Sequence, residues 1–341
     1  MKKLLSLIII LCSAGTVSQE SEDHPKKVIR VISENDFWLF KNKTDVFYTQ
    51  GLKIECSHLL KDSSRLKKWW PFVLDKSTEN ITGFSIGQNL YTSSDITVPS
   101  IMLDDRPYSA WLYISKSVIS NDSASAKRLS SEVYLGVIGP MALGEEVQST
   151  WHEWIGSPDP KGWDNQIKND IGINLHLKYE KGLYSYASPN LTVDFVPNAE
   201  VLAGTVINTV GVGTTTRISI FNASSYFQNI YSERSIIKAF KEPIKPSFIK
   251  SFKDSNISLF TTNSANVVVW NSLLQGGLFS QDSPYLIDHK DIERVYINLE
   301  YGISYSNPYF NISYTRAFRT REFKQQEFNH QWGKFQVLIK I

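Results

Sequence analysis

Apolar and polar residues alternate with a period of two along stretch after stretch of the chain. Ile171, Ile173, Leu175 and Leu177 alternate with Gly172, Asn174, His176 and Lys178, and Val295, Ile297, Leu299, Tyr301 and Ile303 alternate with Arg294, Tyr296, Asn298, Glu300 and Gly302. Phe310, Ile312 and Tyr314 repeat the pattern, and Phe335, Val337, Ile339 and Ile341 carry it to the last residue. Successive side chains of a strand point to opposite faces, so each segment predicts a strand with one apolar and one polar face. Similar runs near 28–34, 50–58, 82–90, 111–119, 132–138, 191–196, 215–221 and 267–275 bring the total to about a dozen strands. Residues 121–127 and 222–266 read as polar connections.

Two architectures fit such a pattern. One is a soluble β-sandwich; the other is an outer-membrane antiparallel β-barrel of about twelve strands, apolar outside and polar inside. The aromatics favour the barrel, because Trp69, Trp70, Tyr108, Trp111, Tyr113, Tyr301, Tyr305 and Tyr309 fall at strand ends, where interface girdles lie. The closing strand is also similar to the C-terminal assembly signal of such barrels, with Ile341 in place of the usual aromatic. Only Glu145–Ile155 has helical spacing, with Val147, Trp151 and Trp154/Ile155 on one face. Glu145 and Glu146 suit its first turn and Gly156 its C-terminal cap. This predicts a short helix inside a loop.

The first residues change the picture of the compartment. Lys2 and Lys3 precede an apolar run from Leu4 to Leu11 and then the small residues Ser13, Ala14 and Gly15. This is the pattern of a secretory signal peptide, expected over residues 1–18, with residues 19–341 as a single barrel domain. Leu11 is too bulky to precede a lipidated Cys12. Without residues 1–18 the chain carries 34 basic and 34 acidic side chains, so it shows no nucleic-acid footprint. Cys56 then stands alone, which excludes an internal disulfide framework and suits a small apolar packing role.

Candidate chemistry gathers at a few places. His152 sits near the end of the loop helix, where it is either a general base or a side chain bonded to a carbonyl. Glu34-Asn35-Asp36 closes the first strand, followed by Thr44-Asp45 and Tyr48-Thr49-Gln50-Gly51. Carboxylate, amide and hydroxyl oxygens are what calcium takes, and the same residues also form turns. Asp105-Arg106 reads as a buried ion pair fixing strand ends, and Lys67-Lys68-Trp69-Trp70 as a membrane-interface segment. No nucleophile elbow, P-loop, Cys-x-x-Cys set or zinc-protease helix occurs.

Taken in order, these motifs resemble the outer-membrane lipid A 3′-O-deacylase family. The shared set is Glu34-Asn35-Asp36, Thr44-Asp45, Tyr48-Thr49-x-Gly51, Gly87-Gln88 with Tyr91-Thr92 and Asp95, and Asp105-Arg106-Pro107-Tyr108 with Trp111-Leu112-Tyr113. It continues through Gly136, Gly139-Pro140, Gly144-Glu145, Gln148, His152, Gly156, Pro160 and Gly162-Trp163 to Gln166, with a weaker echo at Gly204, Asn208, Gly211 and Arg217. The resemblance covers about residues 30–220 and implies a barrel in the outer membrane of a Gram-negative bacterium. Its active site would open on the outer leaflet, between the wall and a loop helix. It implies lipid A, or lipopolysaccharide, as substrate and Ca²⁺ as cofactor. His152 would be the general base, Asn35 and Thr49 catalytic and Asp36 metal-binding, while Gln88, Asp105 and Glu145 match further family positions. Where the family carries an acidic residue after the histidine, this chain has Pro158 and then Asp159. No obligate protein partner is implied. A non-catalytic barrel of the same fold, as a pore or lipopolysaccharide-binding protein, is the competing reading.

Overall fold

The computed structural model describes residues 27–39, 46–60, 64–74, 79–188, 190–221, 255–280, 282–307 and 309–341. The expected signal peptide and Thr44-Asp45 lie outside the described residues. Strands form where the alternation predicts them: β1 (Val28–Asn35), β2 (Phe47–Leu59), β3 (Glu79–Thr92), β4 (Ser109–Asp122), β5 (Lys127–Ile138), β6 (Asp170–Lys181) and β7 (Tyr184–Ala187). They continue with β8 (Leu191–Gly204), β9 (Ile207–Ile220), β10 (Asn256–Asn271), β11 (Val295–Ser306), β12 (Phe310–Arg319) and β13 (His330–Lys340). Each pairs antiparallel with its neighbour, β1 pairs with β13, and β6 pairs with β8.

That last pairing closes the barrel, and it does so through a bulge. Glu180 stands opposite Asn198, but Tyr184 stands opposite Phe195, so the register slips by one residue between β6 and β7. The two segments are halves of one strand, which makes a closed twelve-stranded antiparallel barrel. No described helix is long and apolar enough to cross a membrane. The crossing is made by the strands, whose outward positions carry exposed Ile114, Leu135, Ile173, Val212, Val267, Ile297 and Ile339.

Two sequence expectations change along the wall. The 222–266 connection is shorter than expected, because β10 begins at Asn256, and residues 272–275 turn into a helical turn instead of continuing the strand. Of the expected girdle, Trp69 and Tyr301 do face outward, at 78% and 48% exposure. Trp111 and Tyr113 instead point inward and are buried. With Tyr48, Tyr91, Ile138, Ile167, Val206, Leu273 and Trp332 they form an apolar plug in the long-loop half of the lumen.

Below the plug the lumen is polar, and its charges pair: Lys53 with Glu132 at 2.6 Å, Lys334 with Glu300 at 3.2 Å and Arg128 with Glu180 at 3.6 Å. Above it, Arg106 and Arg319 both reach Glu322, at 2.6 and 3.2 Å, and tie the loop before β4 to the loop after β12. Arg106 therefore pairs with Glu322 across the mouth and not with Asp105. Burial alone would push the Glu322 carboxyl up, but Arg106 and then Arg319 outweigh it and hold it at about 2.

At the end of the barrel that carries residues 27 and 341, the connection after β2 folds back over the outside of the wall. Trp70 Nε1 donates to Ser131 Oγ at 2.7 Å, and Leu74 N–H donates to Ser120 Oγ at 3.0 Å. Both serines sit on outward positions of β4 and β5 yet are buried. The segment thus shields hydroxyls that would otherwise face lipid, and leaves Trp69 at the rim.

Two outcomes follow from this lumen. Purified protein in a planar bilayer at neutral pH is expected to show no steady conductance, because the apolar plug opposes the passage of hydrated ions; an ohmic current would contradict the plug. The depressed carboxyl of Glu322 stabilises the mouth fully above its ordinary value of 4.5, and that contribution is lost as pH falls toward 2. Hydrogen exchange of residues 320–329, corrected for intrinsic rate, should accordingly quicken across that window in wild type and stay level in Glu322→Gln.

Candidate active site on the outer wall

At its long-loop end β1 runs straight into a tight turn. Asn35 Oδ1 accepts the Phe37 N–H at 2.7 Å, and Asp36 Oδ2 accepts the Val46 N–H at 2.9 Å, so the two side chains hold the exit and return of the same loop. Both are buried. Asn35 lies on the outward face, since it stands opposite Gly333, over which Trp38 packs from outside. The Trp38 indole donates to Ser33 Oγ at 3.2 Å and its ring meets Phe335 edge-on at 4.9 Å.

Thr49 reaches the same face by a break in the ladder. Tyr48 pairs with Tyr91 and Gln50 with Leu90, leaving Thr49 as an extra residue in β2. Gln50 faces outward and Gly51 inward, so regular alternation would send Thr49 into the lumen. The bulge re-aims it, and its hydroxyl shares a 2.7 Å hydrogen bond with that of outward-facing Thr92. Across the wall Asn35 stands opposite Gln50, Gln50 opposite Leu90 and Leu90 opposite Ala110. Asn35, Asp36 and Thr49 therefore share one corner of a patch that extends over four strands.

The loop helix, Gly144–Ile155, roofs the far side of this patch. Gln88 Nε2, on the outward face of β3, donates to the Ala142 and Leu143 carbonyls at 2.6 and 3.3 Å and pins the start of the helix. Gly144 lies on Ala110 and Trp163, and the Trp163 indole donates to Gln148 Oε1 at 2.8 Å. The buried stripe is thus Gly144, Gln148 and His152, one residue per turn. The predicted apolar face divides: Val147 packs against the Leu90, Ala110 and Trp163 cluster on the wall, while Trp154 and Ile155 are exposed beside Glu153, as are Met141 and Leu143 just before the helix.

His152 ends that stripe and is 1% exposed. Its Nδ1 lies 2.5 Å from the Pro158 carbonyl oxygen. A carbonyl can only accept, so Nδ1 carries the proton, and when the ring is neutral Nε2 is its acceptor nitrogen. Gly156, at φ 69°, turns the chain back so that Pro158 can reach the ring. The partner of Nδ1 is thus a main-chain oxygen, that of Pro158.

Asp105 and Glu145 have other surroundings. Asp105 accepts from Ser94 N and Oγ at 2.8 and 2.7 Å and so anchors the loop between β3 and β4. Glu145 is exposed on the first turn of the helix, where slight burial and then Asp164, Glu146 and Asp159 push its carboxyl above its ordinary value. Sequence reasoning missed the bulge and the Thr49–Thr92 bond; it offered His152 a carbonyl partner without identifying Pro158. A slip of one residue and a main-chain acceptor leave no signature in residue types.

A family profile described as "Outer membrane protein LpxR" matches residues 4–341. Among solved structures, LpxR from Salmonella typhimurium is similar with a TM-score of 0.69 and 20% identity, covering 92% of this chain and 100% of that one. The β domain of the Bordetella autotransporter BrkA is matched at a TM-score of 0.43 and 8% identity, over 93% of this chain and 99% of that one. No curated protein sequence matches.

The contact between Gly144 and the wall can be tested directly. A Cβ there would lie 2.5 Å from the Trp163 ring and 2.8 Å from Ala110 Cβ. Gly144→Val should destabilise the seating of the helix by about 1–3 kcal/mol. Proteolysis within 140–165 is expected to accelerate, while the barrel keeps its heat-modifiable migration on a gel.

Proposed function

Since the chain belongs to the LpxR family of outer membrane proteins, we propose that it is an esterase that hydrolyses the 3′-linked acyl chains of lipid A in the outer leaflet. The observation that carries this reading is the buried polar patch on the lipid side of the wall. Asn35, Thr49 and His152 are all buried outside the lumen at the long-loop end, His152 on the inner stripe of the loop helix. A polar cluster on a lipid-facing wall serves a substrate that arrives from the membrane.

In the proposed reaction His152 Nε2 takes a proton from water as the water oxygen attacks the ester carbonyl carbon. Nδ1–H stays on the Pro158 carbonyl and keeps the ring in the orientation and tautomer of a base. The imidazolium then returns the proton to the departing sugar oxygen, the acyl C–O bond breaks, and a free fatty acid and a 3′-hydroxyl remain. Because Asn35 Oδ1 is bonded to Phe37 N–H, its amide N–H groups are the donors it can offer to the developing oxyanion. The Thr49 hydroxyl would sit beside them.

Calcium belongs to the proposal, with Asp36 as the residue that would hold it. Among the described residues no three His, Cys, Asp or Glu side chains converge, and Asp36 Oδ2 already takes the Val46 N–H. One carboxylate among neutral oxygens fits a weakly held ion of about 10⁻⁴–10⁻³ M affinity. When bound it would supply positive charge to the ester oxygen. Mass spectrometry of lipid A from cells expressing the protein should show loss of the 3′-linked chains. His152→Ala should lower turnover by about 10²–10⁴-fold, and a chelator should abolish it. An unchanged acylation pattern in wild-type cells would leave the non-catalytic barrel as the better reading, and full turnover in chelator would remove calcium.

A further inference from the structure

We propose that Tyr48, Glu34 and Gly51 act from inside the lumen as a pin that holds the β2 bulge at Thr49, making them positioning residues for the site on the opposite face. The placement of Thr49 needs explaining, because a bulge can slide along a strand. A one-residue slide would carry Thr49 into the lumen and break its bond to Thr92.

The residue beside the bulge is held at both of its ends. Tyr48 N–H donates to His330 Nε2 at 3.3 Å, and Tyr48 Oη donates to Glu34 Oε2 at 2.9 Å. Its ring packs on Tyr91 at 5.1 Å and Trp332 at 5.4 Å. Glu34 is itself fixed by Lys334 at 3.5 Å, which also holds Glu300. Gly51 supplies the room, since a Cβ there would collide with the Tyr48 hydroxyl. The preceding residue, Phe47, is left-handed at φ 65°, a conformation bulky residues rarely adopt, and it is buried against Phe323 and Phe328.

Strand alternation makes the coupling direct. Glu34 and Tyr48 face the lumen and bond to each other, and their chain neighbours Asn35 and Thr49 emerge on the outer face. One hydrogen bond inside the barrel therefore fixes two site residues outside it. This accounts for Glu34, Tyr48 and Gly51, three motif residues with no place in the proposed reaction.

The catalytic arm of the test rests on the deacylase reading, and the structural arm does not. In a Cys56→Ser background, Thr49→Cys with Thr92→Cys should form a disulfide, since the two hydroxyls are 2.7 Å apart. Adding Gly51→Ala should abolish the crosslink, and adding Tyr48→Phe should reduce it about fivefold, the equilibrium value of one hydrogen bond. Glu34→Gln keeps an acceptor for the tyrosine and should preserve it. On lipid A, Tyr48→Phe without the cysteines should lower kcat about fivefold with KM unchanged, and Glu34→Gln should match wild type. Full crosslinking in Tyr48→Phe and Gly51→Ala, in barrels that remain heat-modifiable, would overturn the pin. Crosslinking in the double-cysteine protein together with a wild type that leaves lipid A intact would overturn the deacylase reading and leave the pin standing.

Discussion

Inside a bilayer every backbone N–H and C=O must find a partner within the protein, because lipid offers none. The seam between β6, β7 and β8 shows how strictly this holds. The register slips there, yet Gly182 N–H still donates to Ala126 at 2.8 Å and Leu183 N–H to Phe195 at 3.2 Å. The same rule governs side chains on the outer wall. Gln88, Thr92, Ser120 and Ser131 all face outward, and each is buried, Gln88 beneath the loop helix and the two serines beneath the segment after β2. Polar chemistry is possible on this wall only where the chain itself provides cover.

Lumen and outer wall are consequently two records written on alternate residues. Inward positions carry the ion pairs and the aromatic plug; outward positions carry lipid contacts and, at one end of β1–β4, the candidate site. The plug sets apolar side chains across the lumen, and the Arg106–Glu322–Arg319 cluster fastens the mouth above it. On the proposed function, the barrel is a mount whose working surface is its exterior.

Much of this was legible in the residues. Period-two alternation located most strands, and helical spacing with its glycine cap located the loop helix within a residue of its bounds. β10 escapes the pattern because Thr261 and Asn263 occupy outward positions, and the second half of β8 is masked by Pro197 and Ala199. The helix was recognised by Val147, Trp151 and Trp154/Ile155, whereas its buried stripe is Gly144, Gln148 and His152, whose contacts with Trp163 and the Pro158 carbonyl come from segments the spacing does not show. The partners of Asp105 and Arg106 could not be read from their adjacency, since Glu322 lies 216 positions further along the chain.

The partner of His152 Nδ1 is a peptide carbonyl, and that bears on how the site can vary over time. A carboxylate in that position is lost by a single codon change. A main-chain oxygen is carried by any residue that preserves the path of the loop. Natural variation at position 158 is therefore free to be broad, while the turn at Gly156 that delivers the oxygen is not. An alanine at position 158 would pass over the contact, whereas an ester in place of the peptide link that follows Pro158 would address the accepting oxygen itself.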